Sequence, residues 1–455
     1  GAFPYLTGAE ITKLLFVTAR DLGAAGVDEV YGWGMLDLER ATRPVGASLV
    51  PVDSKVDSKT YLLSSSNINA NSKIGSKIID ADLSFVMLDS FNRTFTLKLN
   101  DYITTEKNRV NTIDILNKFK SNTNSIALNK NKSFNFYYSG DNILSGNGAE
   151  LSYSINDIEE NTYGFSVYYG SNPYSVFENR KNDFYNLYSL ANSYNYNVVN
   201  PYFTTNSNKN IAFNNIFKIN DKTNFNLGVI HQEYVMNYNK PYNNQKSDDN
   251  FGTAFSVLSG VSHNFNNNIS NTVEVGLLNE FDTLLGSKMN GAFGIGGNNL
   301  TYMASLRSDV RLFDNKVSLF GKMTYGYTNV NESKDSLIKD ISTLYSNSFA
   351  LGLNYNFDSK FKNQKSNVSL LFFQPVQIKS GKINIELPFA RDFAGNMYYN
   401  KYGISLKDQK DMNVQLAYNY NVDNYNYFKI GCMYRDYLEN ELIFLMNYNK
   451  SFNFM

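Results

Sequence analysis

From about residue 131 onward, apolar and polar residues alternate in one stretch after another, and a period of two places one set on each face of a sheet. Phe225, Leu227 and Val229 alternate with Asn224, Asn226 and Gly228, and Val273, Val275 and Leu277 with Thr272, Glu274 and Gly276. The same holds for Leu351, Leu353, Tyr355 and Phe357, for Ile383, Ile385 and Leu387, and for Val414, Leu416, Tyr418 and Tyr420. A soluble sandwich alternates too, so three further features decide. The second face is Asn, Gln, Lys and Gly where a packed core needs apolar residues, which suits a watery interior. Tyr and Phe recur near segment ends, as in the aromatic girdles of a membrane interface. The segments run about nine to twelve residues, enough to cross a bilayer at a tilt. The expectation is an antiparallel β-barrel of the outer-membrane type.

Composition limits the alternatives. The 42 Lys+Arg balance 42 Asp+Glu, and only 18% of residues are charged, which argues against a nucleic-acid partner. A length of 455 residues exceeds what one ordinary core supports. Asn makes up about one residue in seven, yet residues 1–50 contain none, so two pieces with different demands are expected. The single cysteine, Cys432, excludes an intrachain disulfide and a Cys-based zinc cluster; it shares parity with Phe428 and Ile430 and reads as lipid-facing. The two histidines, His231 and His263, lack partners at metal spacing and read as solvated or loop positions. Gly291–Asn298 is glycine-rich, but no helix pattern follows it, so it does not read as a phosphate loop. Asn147-Gly148 and Asn290-Gly291 read as turns. No cofactor or metal is expected. No run of eighteen apolar residues predicts a transmembrane helix, and the opening Gly-Ala-Phe-Pro reads as the middle of a domain.

In the first 46 residues, Thr7-Gly-Ala-Glu10 fits a capping box, and Ile11, Leu14, Leu15 and Leu22 form one helical stripe with Gly23 as a stop. A second short helix is expected over Met35 to Ala41, closed before Pro44. The runs Phe3-Pro-Tyr-Leu-Thr7, Thr18-Ala-Arg-Asp-Leu-Gly23, Gly26-Val-Asp28, Tyr31-Gly-Trp-Gly34 and Leu36–Ala41 resemble the last segment of a subtilisin-like (peptidase S8) serine protease, of the kind found in autotransporter proteases. The resemblance implies a nucleophilic Ser and its His and Asp upstream of Gly1. Asp21, Asp28 and Asp37 have no His in this segment to orient, so no catalytic residue is expected in the chain, and endopeptidase activity belongs to a longer parent.

Residues 47–130 read as a linker with short strands. The tract Ser64–Ser72 reads as loop, and Phe95, Leu97 and Leu99 alternate as a strand. Leu88, Asp89, Phe91, Arg93 and Phe95 resemble a short element that such autotransporters carry between protease and translocator, read as a hairpin whose charges sit at solvated strand ends. Thr105 to Phe119 is a candidate helix, either threading the barrel pore or serving as an ordinary connector.

The resemblance returns near the end, in Gln374–Gly381, Ile383–Pro388, Ile404–Leu406, Asn413–Tyr420 and Tyr434–Asp436. Leu442, Phe444, Met446, Tyr448, Phe452 and Phe454 share one parity and resemble the closing strand read by outer-membrane assembly machinery. Barrels of that family have about twelve strands, fewer than the fourteen or fifteen candidates here, so two or three are expected to be external hairpins or false assignments. Ser171–Asn210 is expected to be a long surface loop.

The organisation expected is thus a small α-helical remnant of a subtilisin-like α/β domain at 1–46, the linker at 47–130 and the barrel at 131–455. The resemblance implies type V secretion, with the barrel translocating or anchoring its own passenger at the surface of a Gram-negative-type cell. Its partners would be outer-membrane lipid, the barrel assembly machinery and that passenger. The alternative is a general porin-like channel with no protease connection.

Overall fold

The computed structural model describes residues 3–105, 121–129, 132–139, 149–155, 163–170, 201–202, 207–239, 246–358, 365–409, 411–421, 427–437 and 439–449. Helix α1 (Gly8–Thr18) starts on the expected capping box, with the Thr7 hydroxyl accepting from the Glu10 amide and Glu10 Oε2 accepting from the Thr7 amide at 2.8 Å. It ends at Thr18 rather than near Gly23. The chain turns there to pair Arg20 with Met35, an approach that only Gly34 permits, since a Cβ at its φ of +91° would strike the Arg20 carbonyl. Helix α2 (Leu38–Thr42) is capped by Asp37.

Residues 49–105 then fold as a compact module. It holds β1 (Leu49–Pro51), β2 (Thr60–Leu62), β3 (Ile68–Ala70), α3 (Ser72–Asp80), β4 (Ser84–Leu88), β5 (Thr94–Lys98) and β6 (Ile103–Thr105). The tract expected as loop thus contains β3 and the start of α3, which Asn71 caps and whose Ile74 and Ile78 are fully buried. The candidate helix from Thr105 to Phe119 lies almost wholly outside the described residues.

The chain next runs through β7 (Ser121–Asn129), β8 (Lys132–Ser139), β9 (Ala149–Ile155), β10 (Tyr163–Gly170), β11 (Ser207–Asn220), β12 (Thr223–Asn239), β13 (Lys246–Asn264) and β14 (Ile269–Phe281). After a small hairpin, β15 (Thr283–Leu284) and β16 (Ser287–Met289), come β17 (Asn298–Leu312) and β18 (Val317–Asn329). A short β19 (Ile338–Ile341) precedes β20 (Leu344–Asp358) and β21 (Lys365–Ser380). The hairpin β22 (Lys382–Arg391) and β23 (Met397–Ser405) leads to β24 (Met412–Asn421), β25 (Tyr427–Tyr437) and β26 (Glu439–Asn449).

Fifteen of these strands, all but the hairpins and β19, form one antiparallel sheet in chain order among the described residues. This corrects the expectation of about twelve. Every neighbouring pair from β7 to β14 is joined antiparallel, with register shifts in the β7–β8, β11–β12 and β12–β13 pairs, so none of those candidates is an external hairpin. The segments that do leave the sheet are Ile383–Leu387 and Ile404–Leu406, in a separate three-stranded sheet of β19, β22 and β23. Fifteen is odd, so the two edges, β7 and β26, run in the same direction.

The connections differ between the two rims. At one rim, residues 221–222, 265–268 and 313–316 make tight turns; at the other, 282–297, 330–343 and 381–411 make long excursions. The module sits among those excursions: β16 pairs with β3, and Lys55 bridges to Asn396. One apolar cluster joins Ile68, Ile74, Ile78 and Phe85 of the module to Phe293, Ile383 and Ile385 of the excursions. It continues to Ala254, Leu258, Leu278 and Met303 on one face of the large sheet.

That face is called inward here, and the burial pattern separates it cleanly from the other. On β17, Asn299, Thr301, Met303 and Arg307 are buried, whereas Tyr302 and Leu306 are exposed. On β18, Ser318, Phe320, Lys322, Thr324 and Thr328 are buried, and Leu319, Met323, Tyr325 and Tyr327 exposed. On β24, Asn413, Gln415, Ala417 and Asn419 are buried, and Leu416 is exposed. The outward face is apolar and exposed, while the inward face mixes polar side chains with the apolar ones of the cluster, so an apolar surface is turned to the surroundings, unlike that of a water-soluble sheet.

Candidate functional site

The junction between the N-terminal segment and the module is built on one arginine. Arg93, at the start of the strand side of the β4–β5 hairpin, is fully buried with Asp89. Its guanidinium donates to Asp89 Oδ2, to the carbonyl of Ala41 and, at 2.7 Å, to that of Arg43. It lies over the rings of Phe3 and Phe95, at 4.8 and 5.3 Å from their centroids. Asp89 in turn accepts from the amides of Val45, Phe91 and Arg93. The expected hairpin is there, but its charges are not at solvated ends. They hold the end of α2 and the chain after it, because the last carbonyls of a helix need donors and Arg supplies a planar fork of them. Tyr5 docks beside them, its hydroxyl 3.0 Å from Thr94 Oγ1 and its ring 3.9 Å from the Arg391 guanidinium.

A second set of polar contacts ties the module to the excursions. Lys73 on α3 donates to the carbonyl of Val376 at 2.6 Å and pairs with Asp411 at 3.3 Å and Asp408 at 4.0 Å. Burial pushes the Asp408 carboxyl above its ordinary range, against the pull of Lys73 and of the Ile378 amide it accepts from. Asn71 donates to the carbonyl of Leu285, and its amide donates to Ser287. Glu280, fully buried at the end of β14, accepts from the amides of Leu285 and Gly286 and so fixes the β15–β16 turn. The Tyr399 hydroxyl donates to the Asp53 carbonyl at 2.7 Å, and burial pushes its phenol upward.

The inward wall carries the third set. Lys322 on β18 pairs with Glu274 on β14, which also accepts from Ser305 at 2.9 Å. Arg307 pairs with Asp309 on the same strand and lies over the Phe320 ring. Higher on the wall, the Tyr202 hydroxyl lies 2.7 Å from Ser346 Oγ, and Tyr202 is 2% exposed. This overturns part of the surface-loop reading of Ser171–Asn210. Tyr202 is inside and 207–210 belong to β11, while 171–200 and 203–206 lie outside the described residues.

The residues weighed for chemistry are placed as follows. Asp21 accepts from the Gly26 amide, Asp28 from Val30 and Tyr31, and Asp37 from Arg40, so all three carboxylates serve turns and a cap. His231 and His263 sit in β12 and β13, not in loops; His263 Nδ1 lies 2.9 Å from Thr223 Oγ1. No group of three or more His, Cys, Asp or Glu side chains with metal-binding geometry occurs among the described residues. Cys432 lies on the outward parity of β25 between Ile430 and Tyr434, half-buried. Gly291–Phe293 form a single 3-10 turn, and Asn147-Gly148 lies outside the described residues. Sequence reasoning missed Tyr202 and the burial of Asp89 and Arg93; three aromatics around an arginine, Phe91, Phe95 and the distant Phe3, were the available signal for the latter.

No family model matches this chain. A stretch of 39 residues is 54% identical to serotype-specific antigen 1 of Mannheimia haemolytica, 9% of this chain and 4% of that protein. Another 39-residue match is 44% identical to an extracellular serine protease of Serratia marcescens, again 9% of this chain and 4% of that one. The chain therefore spans a small fraction of the length of the curated relatives it matches. Among solved structures, OmpT of Vibrio cholerae aligns over 86% of this chain and 84% of its own at 7% identity, with a TM-score of 0.34. A porin aligns over 80% and 95% at 7% identity, with a TM-score of 0.35. At such scores the likeness carries no argument. The class of the protein rests on its own register: a mainly β chain built on one large antiparallel sheet.

Proposed function

We propose that this chain is the C-terminal portion of an autotransported subtilisin-like serine endopeptidase, with residues 1–46 the end of its protease domain. Its large sheet closes as a barrel in the outer membrane, and the barrel translocates or anchors the passenger. The observation that carries the membrane part is the inverted sheet. Val273, Val275, Leu306, Tyr325 and Leu351 are each about half exposed or more, at 56, 56, 54, 56 and 59%, and they stand on one face of adjacent strands. An apolar band this continuous is stable only against lipid or another apolar surface. Long excursions at one rim and tight turns at the other are the asymmetry such barrels have between their outer and periplasmic sides, which supports a reading in which the module and the protease segment lie on the outer side.

The protease part is supported by the resemblance of residues 3–41 and by the short match to an extracellular serine protease. A general porin-like channel is the competing reading, and the fifteen strands among the described residues exceed the twelve of a family barrel. The partners remain outer-membrane lipid, the assembly machinery and the passenger.

Electrophoresis of the chain folded in detergent, with and without boiling, tests the barrel. A folded closed barrel migrates faster until heated; a band that boiling leaves unmoved sinks the reading. The protease connection is tested on the gene: an upstream reading frame carrying a Gly-Thr-Ser motif supports it, and a stop codon just before Gly1 removes it.

A further inference from the structure

Residues 41–48 join the N-terminal segment to the module, and their composition, Ala-Thr-Arg-Pro-Val-Gly-Ala-Ser, is that of an open connector. The backbone is nevertheless tied down along its length. The carbonyls of Ala41 and Arg43 accept from Arg93, the Val45 amide donates to Asp89 Oδ2 at 3.0 Å, and the Val45 carbonyl accepts from the Ser90 amide at 3.0 Å. The Ala47 amide donates to Ser90 Oγ at 2.9 Å, and the Ser48 carbonyl accepts from the Leu63 amide at 2.9 Å, one residue before β1 begins. Gly46 makes this approach possible, since its φ is +76° and a Cβ there would strike the Ser90 hydroxyl.

The segment is also held directly by an excursion. Phe3 lies 5.6 Å from Phe95, and the Tyr5 hydroxyl accepts from the Thr94 amide at 3.0 Å. Arg391, the last residue of β22, lies over the Tyr5 ring and donates to the carbonyl of Asn92 in the β4–β5 hairpin. One side chain of the rim thus touches both the segment and the module.

The module is fastened to the same rim through its main chain. The Val56 amide donates to the Gly395 carbonyl at 2.9 Å, the Met397 amide donates to the Ser54 carbonyl at 2.8 Å, and β3 pairs with β16. Val56, Val86, Leu88 and Met397 form an apolar cluster beside these bonds, and Ile74 and Phe85 belong to the larger one. Domains joined by small polar interfaces move relative to one another by default; main-chain pairing backed by apolar packing removes that freedom. Segment, module and rim are therefore one body, with no leash between them.

We propose that residues 49–105 are an anchor that retains the passenger: its last segment is clamped to the excursion rim in one orientation, so the protein displays its passenger on the barrel and does not shed it by cleavage at 41–48. This rests on the barrel and passenger readings above and goes beyond them in choosing retention over release. Proteolytic nicking needs backbone that is free of hydrogen bonds, and the junction offers little of it.

The test uses the full chain folded in detergent. Val30 and Phe393, 80 and 75% exposed, lie on the segment and on the β22–β23 turn. Spin labels on Val30→Cys and Phe393→Cys in a Cys432→Ser background are expected to give one narrow distance distribution by pulsed electron paramagnetic resonance. A broad distribution in the folded chain overturns the anchor. Proteinase K digestion followed by native electrophoresis is expected to leave 41–48 intact and to keep 1–105 with the large sheet. Cleavage within 41–48, or departure of 1–105 from the rest after a cut beyond residue 105, overturns it as well. Gly46→Ala displaces Ser90 without touching the Asp89–Arg93 pair, and it is expected to speed cleavage at 41–48 several-fold; an unchanged rate removes the role given to the tied junction. Failure of the barrel reading is a distinct result, a band that boiling does not shift, and it removes display whatever the distance distribution, since neither label sits on the large sheet.

Discussion

Arg93 donates through both Nε and Nη2 to a single oxygen of Asp89, at 2.9 and 2.7 Å, and neither side chain has any exposed surface. Its other donors hold the carbonyls of Ala41 and Arg43, fifty residues earlier in the chain. The pair therefore joins three segments, and a charge removed from it leaves a buried partner without compensation.

Arg93→Ala is expected to destabilise the junction by about 3–5 kcal/mol, the usual cost of removing one partner from a buried pair. Arg93→Lys should rescue little, because an ammonium cannot serve two carbonyls and a carboxylate in one plane. Limited proteolysis would show it, as rapid cleavage between residues 41 and 48 while the large sheet stays protected.

Leu351→Arg tests what the exposed face meets. At a bilayer midplane the substitution costs about 2–4 kcal/mol, whereas on a water-exposed face it is nearly neutral. Equilibrium unfolding in lipid vesicles is expected to show the loss; an unchanged midpoint counts against lipid contact.

Asp408 gives the rim a pH dependence whose sign follows from burial. Its folded carboxyl holds a proton above the ordinary 3.8, so the folded state binds more protons than the unfolded one as pH rises past that value. Stability from this group is greatest at low pH and declines as pH climbs through the raised folded value. Lys73 and Asp411 face the same group, the first opposing the shift and the second adding to it. Hydrogen exchange of the 376–380 amides from about pH 4 to about pH 8 should show protection falling with pH, and Asp408→Asn should flatten that slope.

Glu280→Ala strands two buried amides, those of Leu285 and Gly286, which Glu280 now accepts from at 2.7 and 2.8 Å. Each unsatisfied donor costs about 1–3 kcal/mol, so the β15–β16 turn should open and β3 lose one of its two strand partners, keeping β6. Protease nicking within residues 282–290 is the readout, and Glu280→Gln should show less of it.

The strands were legible because alternation survives any neighbour: Val414, Leu416 and Tyr418 had to face away from Asn413, Gln415 and Ala417 whatever they packed against. The capping box at Thr7 was legible for a similar reason, since it is closed within four residues. Strand membership was less so. Ile383, Ile385 and Leu387 alternate as well as any strand of the large sheet, yet they are buried against the module in β22. Periodicity reports that a strand has two faces and not which sheet it joins.

By itself the sequence determined the mainly β character, the two unlike faces of the strands and the break after residue 50, because each depends on the order of neighbouring residues. Tertiary structure alone decided that fifteen strands among the described residues share one sheet, that residues 49–105 pack among its excursions, and that Asp89, Arg93 and Tyr202 are inside. Those outcomes depend on partners fifty to three hundred residues away, and no local pattern records which distant carbonyl an arginine will meet or which glycine will leave room for a ring.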